Sequence, residues 1–394
     1  MDFGFTEEEM ELIRDVRQFI QEESSPELVK ESLEAEYIPG HELANQFFRK
    51  FGAKGWLTPS WPRKYGGLES SEMVTYIIRN ELATAGLPYH HAGANMVGPF
   101  LLRYGSDELK DEFLVRIAKG EIEFCIGLSE PCAGSDIASL ETRAECKEDD
   151  IRAEDMGDHY LINGQKVFNT HAHIAKYHWV AVRTDPDAPK HKGISTFIVD
   201  LDSPGITIRP LITMAGTRTN EVFYDNVKVP KNRLVGELNR GFSDIMTVLN
   251  FERMFPFGYY KHLLEKLFDY AKETVIDGKP IAKDPIVRQK LAQLAVEAEV
   301  VELLYYQLAS MLESGAVPSY QSSMEKVFLC EFSQRLTRTA MEIMGPRAQV
   351  RTGDPWAVMD GVVEHFYRFC VVETIVSGTS EIQRNIIAQR GLGL

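Results

Sequence analysis

The chain has 394 residues, 44% of them hydrophobic and 26% charged, with a formal net charge of −15. That length can bury a large core and predicts two or three domains. The acidic balance argues against nonspecific binding to nucleic acid or to an anionic membrane surface, while local cations can still hold a phosphorylated small ligand.

The start of the chain, MDFGFTEEEMELI, lacks the basic and apolar regions of a signal peptide. No apolar run reaches the ~18 residues that a membrane span needs. Five cysteines, Cys125, Cys132, Cys146, Cys330 and Cys370, are odd in number, scattered and without a CxxC pair. They read as free thiols of a cytoplasmic protein, with neither a disulfide frame nor a zinc site.

To about residue 120 the pattern is helical. Thr6 and Glu9 fit a capping box, followed by an apolar stripe of Leu12, Ile13, Val16, Phe19 and Ile20. HELANQFFRKFGAKG reads as a helix closing on Gly55, and EMVTYIIRNELATAG and SDELKDEFLVRIAKG as two more. Between 121 and 235 come short runs rich in β-branched and aromatic residues: HYLINGQKVFNT, YHWVAVRTD, GISTFIVDLD, GITIRPLI and NEVFYDNVKVP, spaced as in a barrel or sandwich. Helix then returns, with Leu291, Leu294, Val301, Leu304 and Leu308 marking one long amphipathic helix. The expected class is α+β and multidomain: a helical domain over 1–120, a central β-barrel or sandwich over 121–235, and a four-helix-bundle-like domain over 236–394.

Three places invite a functional reading. CIGLSEPCAGSD, Cys125 to Asp136, is a loop of small residues whose backbone N–H groups suit an anion or a planar polar heterocycle, although such loops are often plain turns. His171 and His173 alternate near a strand end, but no further ligand spacing completes a metal site. Glu252, in VLNFERMFPFGYY, sits in an apolar helical pattern, where a carboxylate must be paired, solvated or used. An ion pair with Arg253 is the structural alternative.

SEPCAGSD, INGQKVFNT, TNEVFYDNVKVP, GFSDIMTVLNFER and SGTSEIQRNIIAQRGLGL follow one another in the order and spacing of the acyl-CoA dehydrogenase family, which the chain resembles over nearly its whole length. The resemblance implies noncovalent FAD between a β-domain and C-terminal helices, and a homotetramer in which each flavin also meets a neighbouring subunit. It implies α,β-dehydrogenation of an acyl-CoA: a base takes the α-proton, flavin N5 takes the β-hydride, and an electron-transferring flavoprotein receives the electrons. By motif match, Ser129 is expected to hydrogen-bond the flavin, with Ile126 and Leu128 offering backbone contacts. Phe168 is expected to wall the ring, Thr170 to face N5, and Thr379 and Gln383 to meet the FAD. Ser135 lies near the CoA-bearing ligand, Arg253 contacts the CoA, and the Ser377 N–H polarises the thioester carbonyl.

Departures from the family pattern sharpen the expectation. Many relatives carry their catalytic Glu where this chain has Ser377, and an unactivated hydroxyl is too weak a base for a thioester α-carbon. A branch of the family places the base just before the Arg of the Glu-Arg pair, which here is Glu252, so Glu252 is the expected base and Glu373 its rival. The Arg-x-x-Phe-Gly stretch is missing, and Gly345-Pro346 replaces a Gly-Gly pair. Both changes accompany bulky, cyclic or steroid-side-chain acyl-CoAs within the family. The alternatives are an acyl-CoA oxidase or flavin monooxygenase of the same fold, or a catalytically silent subunit of a hetero-oligomer.

Overall fold

A computed structural model describes residues 6–34, 42–139, 152–155, 157–252, 256–316 and 318–394; the side chains of 152–155, 248 and 250–252 are not among those described. The chain folds into two compact units. One gathers Met1–Glu23, Glu72–Tyr89 and Arg253–Leu394, and the other Ser24–Ser71 and His90–Glu252. The helices before residue 120 are thus divided between them.

The second unit carries the sheet. Its strands are β1 (Phe124–Gly127), β2 (Arg152–Asp155), β3 (His159–Lys166), β4 (Tyr177–Arg183), β5 (Ile194–Asp200), β6 (Ile206–Ile212), β7 (Arg218–Pro230) and β8 (Leu234–Val235). They form one sheet in the order β6-β7-β3-β2-β4-β5-β8, with β1 parallel to β4. All five predicted strand segments are present as β3 to β7. Every residue of β4 is buried, so its two faces feed two cores. Trp179 and Ala181 pack with Phe100, Phe113, Phe124, Ile245 and Leu249, while Val180 and Val182 pack with Ile162, Phe197, Val222 and Val227. The Trp179 ring sits 4.5 Å from that of Phe100.

The expected barrel does not close. Among the described residues β6 pairs with β7 alone and β8 with β5 alone, which leaves these two ends of the strand order open. Both edges carry features that resist further pairing: Pro210 removes a donor in mid-β6, and β8 is two residues long.

Gly93–Val97 forms a π-helical turn leading into the Gly98–Tyr104 helix. Gly98 is required there, since a Cβ would come 1.9 Å from the Trp61 ring. Below this turn Glu123 accepts hydrogen bonds from the Gly93 N–H (3.0 Å) and the Phe124 N–H (2.7 Å), and its Oε2 lies 3.3 Å from His91 Nδ1. Burial pushes the Glu123 carboxyl up to about 8 and holds His91 down at about 3, so the pair is neutral at pH 7. The folded chain therefore keeps a Glu123 proton that the unfolded chain releases near the ordinary value of 4.5. This contribution to stability is full below that value and is lost as pH rises through about 8. Denaturant midpoints of wild type and Glu123→Gln measured between pH 5 and 8 are expected to converge as pH rises, with wild type falling more steeply; parallel profiles would refute the linkage.

The first unit is helical. Its opening helix, Glu7–Glu23, has the expected capping box: the Glu9 N–H donates to Thr6 Oγ1 (3.2 Å) and the Thr6 N–H to Glu9 Oε2 (2.8 Å). The long amphipathic helix is Pro285–Glu313, started by Asp284 accepting from the Ile286 and Val287 N–H groups. Its Tyr305 stacks on Tyr76 of the Glu72–Thr84 helix at 3.9 Å. Where the Arg-x-x-Phe-Gly stretch is missing, Val275–Ile276 and Lys279–Pro280 make a small hairpin around Asp277-Gly278, both at positive φ. Among the described residues no helix is long and apolar enough to cross a membrane.

Candidate active site

In the sheet unit, β1 delivers Ile126 and the loop after it, and β3 delivers Phe168 to Thr170. The two segments lie side by side because the Val167 N–H donates to the Ser129 carbonyl (3.0 Å) and Asn169 Nδ2 to the Ile126 carbonyl (3.0 Å). Asn169 is itself locked: its N–H donates to the Asn220 carbonyl, and Asn220 Nδ2 returns a bond to its carbonyl, both at 2.9 Å. Arg218 Nε holds Asn220 Oδ1 at 2.9 Å. This frame turns Phe168 outward with φ +59° and 62% exposure, next to an exposed Thr170 and half-buried Ile126, Leu128 and Ser129.

A large aromatic held in the left-handed region and left open is a strained arrangement. A planar ring laid against it, with the Thr170 and Ser129 hydroxyls at its edge, would cover it, and in that sense the residues fit an isoalloxazine. Ser135 is exposed further along the loop, before Asp136, which pairs with Lys190 at 2.8 Å. One expectation about the loop is corrected. Cys132, exposed on the turn, is disulfide-bonded with its partner outside the described residues, whereas Cys125, Cys330 and Cys370 are free and buried. An exposed turn leaves a sulfur open to pairing; a packed interior does not.

In the helical unit, the Val362–Glu373 helix ends and the chain turns through Ser377 (φ +53°) and Gly378 (φ +89°) into Ser380–Ile386. Thr379 caps that last helix, its Oγ1 accepting from the Ile382 N–H at 3.3 Å. Gln383 is expected at the cofactor, but its side chain is 0% exposed. Its Nε2 donates to the Ser377 (3.0 Å) and Gly378 (3.2 Å) carbonyls, and its Oε1 accepts from Ser323 Oγ (2.7 Å). In this structure it holds the turn from within, because a turn at positive φ leaves carbonyls that need buried donors.

Glu373 closes the preceding helix. Although the residue as a whole is half-buried, its carboxyl lies in the packed interior, where Ser333 Oγ donates to Oε2 at 2.5 Å and burial pushes it up to about 8. Lys326, fully buried, donates to the Glu373 carbonyl at 2.8 Å. A cleft of about 470 Å³ borders the turn, lined by Arg335, Arg338, Arg384, Thr379 and Ser380 among others.

Glu252 is the last residue of the Gly241–Glu252 helix; its side chain and all of Arg253 lie outside the described residues. Sequence reading missed Lys166, Glu130, Ser323, Lys326 and Ser333 as supports of these two segments. For the last three a signal existed: the helix Tyr320–Met344 buries Ser322, Ser323, Glu325, Lys326, Ser333 and Thr337 beside its apolar positions, and a run of polar residues in a buried helix needs partners.

Three family models match the chain: the acyl-CoA dehydrogenase N-terminal domain over residues 6–121, its middle domain over 125–227 and its C-terminal domain over 239–392. "Acyl-CoA dehydrogenase FadE26" of Mycobacterium tuberculosis is 36% identical, with 100% of this chain and 99% of that protein covered. Two solved structures share the fold with a TM-score of 0.90 each, covering 100% of this chain and 99% of theirs: "Tcur3481-Tcur3483 steroid ACAD" at 33% identity and the ChsE4-ChsE5 complex from Mycobacterium tuberculosis at 35%. The chain belongs to the acyl-CoA dehydrogenase family: it is an FAD-dependent oxidoreductase acting on acyl-CoA.

Proposed function

We propose that Glu252 removes the α-proton of an acyl-CoA with a bulky or cyclic acyl group, and that an electron-transferring flavoprotein takes up the electrons. The observation that carries this reading is Ser377. The position before Gly378-Thr379, where many relatives keep their base, holds a hydroxyl, and the glutamate before Arg253 stands where another branch of the family keeps it. The Ser377 N–H polarises the thioester carbonyl and so acidifies the α-carbon, and Arg253 and Ser135 hold the CoA portion. Ile126, Leu128, Ser129, Phe168 and Thr170 hold the flavin ring, whose bound form supplies the hydride acceptor. Thr379 and Arg338, beside a cleft whose other guanidinium groups Arg384 and Arg335 already pair with Glu331 and Glu297, suit the anionic remainder of the cofactor. The steroid in one relative's name supports a bulky substrate.

Purified holoenzyme is expected to be yellow and to bleach anaerobically with alicyclic, branched or steroid-side-chain acyl-CoAs more readily than with linear ones. A preference for linear chains would refute the substrate class. Rapid consumption of dioxygen by the reduced enzyme would favour an oxidase over a dehydrogenase.

A second reading concerns assembly. The motif match favours a homotetramer, but the ChsE4-ChsE5 complex is two-component, and the Val275–Pro280 hairpin replaces the stretch that in relatives reaches a neighbour's FAD. One flavin per chain in native mass spectrometry supports the homotetramer; fewer flavins, restored by a second chain, support the hetero-oligomer.

A further inference from the structure

Behind the surface assigned to the flavin ring lies a buried polar layer that the reaction itself does not use. Lys166, the last residue of β3, is 0% exposed, and its Nζ donates to Glu130 Oε1 at 2.6 Å; the Glu130 side chain is 2% exposed. Glu130 directly follows Ser129, and Lys166 directly precedes Val167 to Thr170. The pair therefore runs beside the two bonds already described, Val167 N–H to the Ser129 carbonyl and Asn169 Nδ2 to the Ile126 carbonyl. Three links tie segment 126–130 to segment 166–169.

The layer is closed from below. Glu130 and Ala133 bond each other's backbone, at 3.0 and 3.1 Å, so the carboxylate stands on a tight turn. His178 is 0% exposed, its Nδ1 bonded to the Tyr224 hydroxyl, and its ring fills the space beneath Gly127. A Cβ on Gly127 would come 2.2 Å from His178 Nε2, so no larger residue fits there. Burial first, and the Lys166 charge second, hold His178 down at about 3 and keep it neutral.

A fully buried ion pair is a poor device for stability alone. Desolvation of both ions offsets most of their attraction, and an apolar pair of the same volume is often as stable. What an apolar pair lacks is direction. A charge-assisted bond fixes the distance and orientation of the two segments it joins, and Glu130 Oε2 has no donor among the described residues, so the geometry rests on the Lys166 bond.

We propose that the Lys166–Glu130 pair is a positioning device for the flavin edge. It fixes Ser129 relative to Thr170, and so sets how much more tightly the protein binds reduced than oxidised flavin. The inference rests on the reading that Ser129 and Thr170 face the flavin. Lys166 and Glu130 act through those residues, not on the reacting atoms.

The test compares Lys166→Met, the double variant Lys166→Met/Glu130→Met, and Ser129→Ala. Purified holoenzyme gives the flavin midpoint potential by equilibrium dye titration, and the flavin-stripped protein gives thermal stability. Lys166→Met alone strands a buried carboxylate and is expected to lower both. The double variant removes the stranded charge and is expected to regain stability, while the reduced-to-oxidised affinity ratio stays at least tenfold lower, about 30 mV for a two-electron couple. Recovery of the potential together with stability would make the pair merely structural and overturn the proposal. If Ser129→Ala shifts the potential and the pair variants do not, the pair alone is wrongly assigned. If Ser129→Ala is also silent, the placement of the flavin edge fails and takes the proposal with it. Should either Met variant fail to fold, Glu130→Gln carries the same test, and a wild-type potential there counts against the proposal.

Discussion

Replacing Glu252 by Gln is expected to lower the rate of flavin reduction by about 10²- to 10⁴-fold, the range that removal of a general base produces. The amide keeps the size and polarity of the side chain but cannot accept the α-proton. Flavin content and acyl-CoA affinity should stay close to wild type, since neither depends on proton removal. Stopped-flow bleaching under anaerobic conditions reads the step directly, without the electron acceptor.

Near-wild-type reduction in Glu252→Gln would transfer the assignment to Glu373. That outcome has its own signature. A base whose carboxyl is pushed up to about 8 is protonated at neutral pH, so the rate would climb as pH rises through that region, and Glu373→Gln would abolish the climb. With Glu252 as base, Glu373→Gln leaves the reductive step largely intact.

Gln383→Leu is expected to have the largest effect of any substitution in the final turn. The glutamine is fully buried and makes three hydrogen bonds, two of them to carbonyls of residues at positive φ. Leucine fills similar volume but leaves the Ser377 and Gly378 carbonyls without their donor. Each stranded buried group costs about 1–3 kcal/mol, so a loss of about 3 kcal/mol in unfolding free energy is expected. The released turn should also misplace the Ser377 N–H, so turnover should fall further than stability accounts for. Urea denaturation checks the first effect and kcat the second. Ser323→Ala removes one of the three bonds and should show a fraction of both; an unchanged denaturation midpoint in Gln383→Leu would sink this account of the turn.

Much of the architecture was legible in the residue pattern because it is local. The Thr6–Glu9 box, the 3.6-residue stripe of Pro285–Glu313 and the β-branched and aromatic runs of β3 to β7 each depend on neighbours within one element. The family motifs were legible for a related reason: a loop of small residues such as SEPCAGSD has a composition that few other uses require. Open edges in place of a barrel were less visible. Pro210 and the brevity of β8 were present as signals, but closure is a property of the whole strand order.

The sequence by itself thus determined the order of helical, β and helical segments, the family, and the absence of a carboxylate before Gly378. Only the tertiary structure decided which polar side chains serve the interior. Gln383 reads as a ligand contact in sequence because it follows a cofactor turn, yet packing places it inside, where the carbonyls of Ser377 and Gly378 need a donor. Lys166 reads as the end of a strand, yet it is buried against Glu130, 36 positions away in the chain. The physical reason is the same in both cases. Burial and hydrogen-bond satisfaction are set by groups distant in sequence, and no local pattern specifies which two of them will meet.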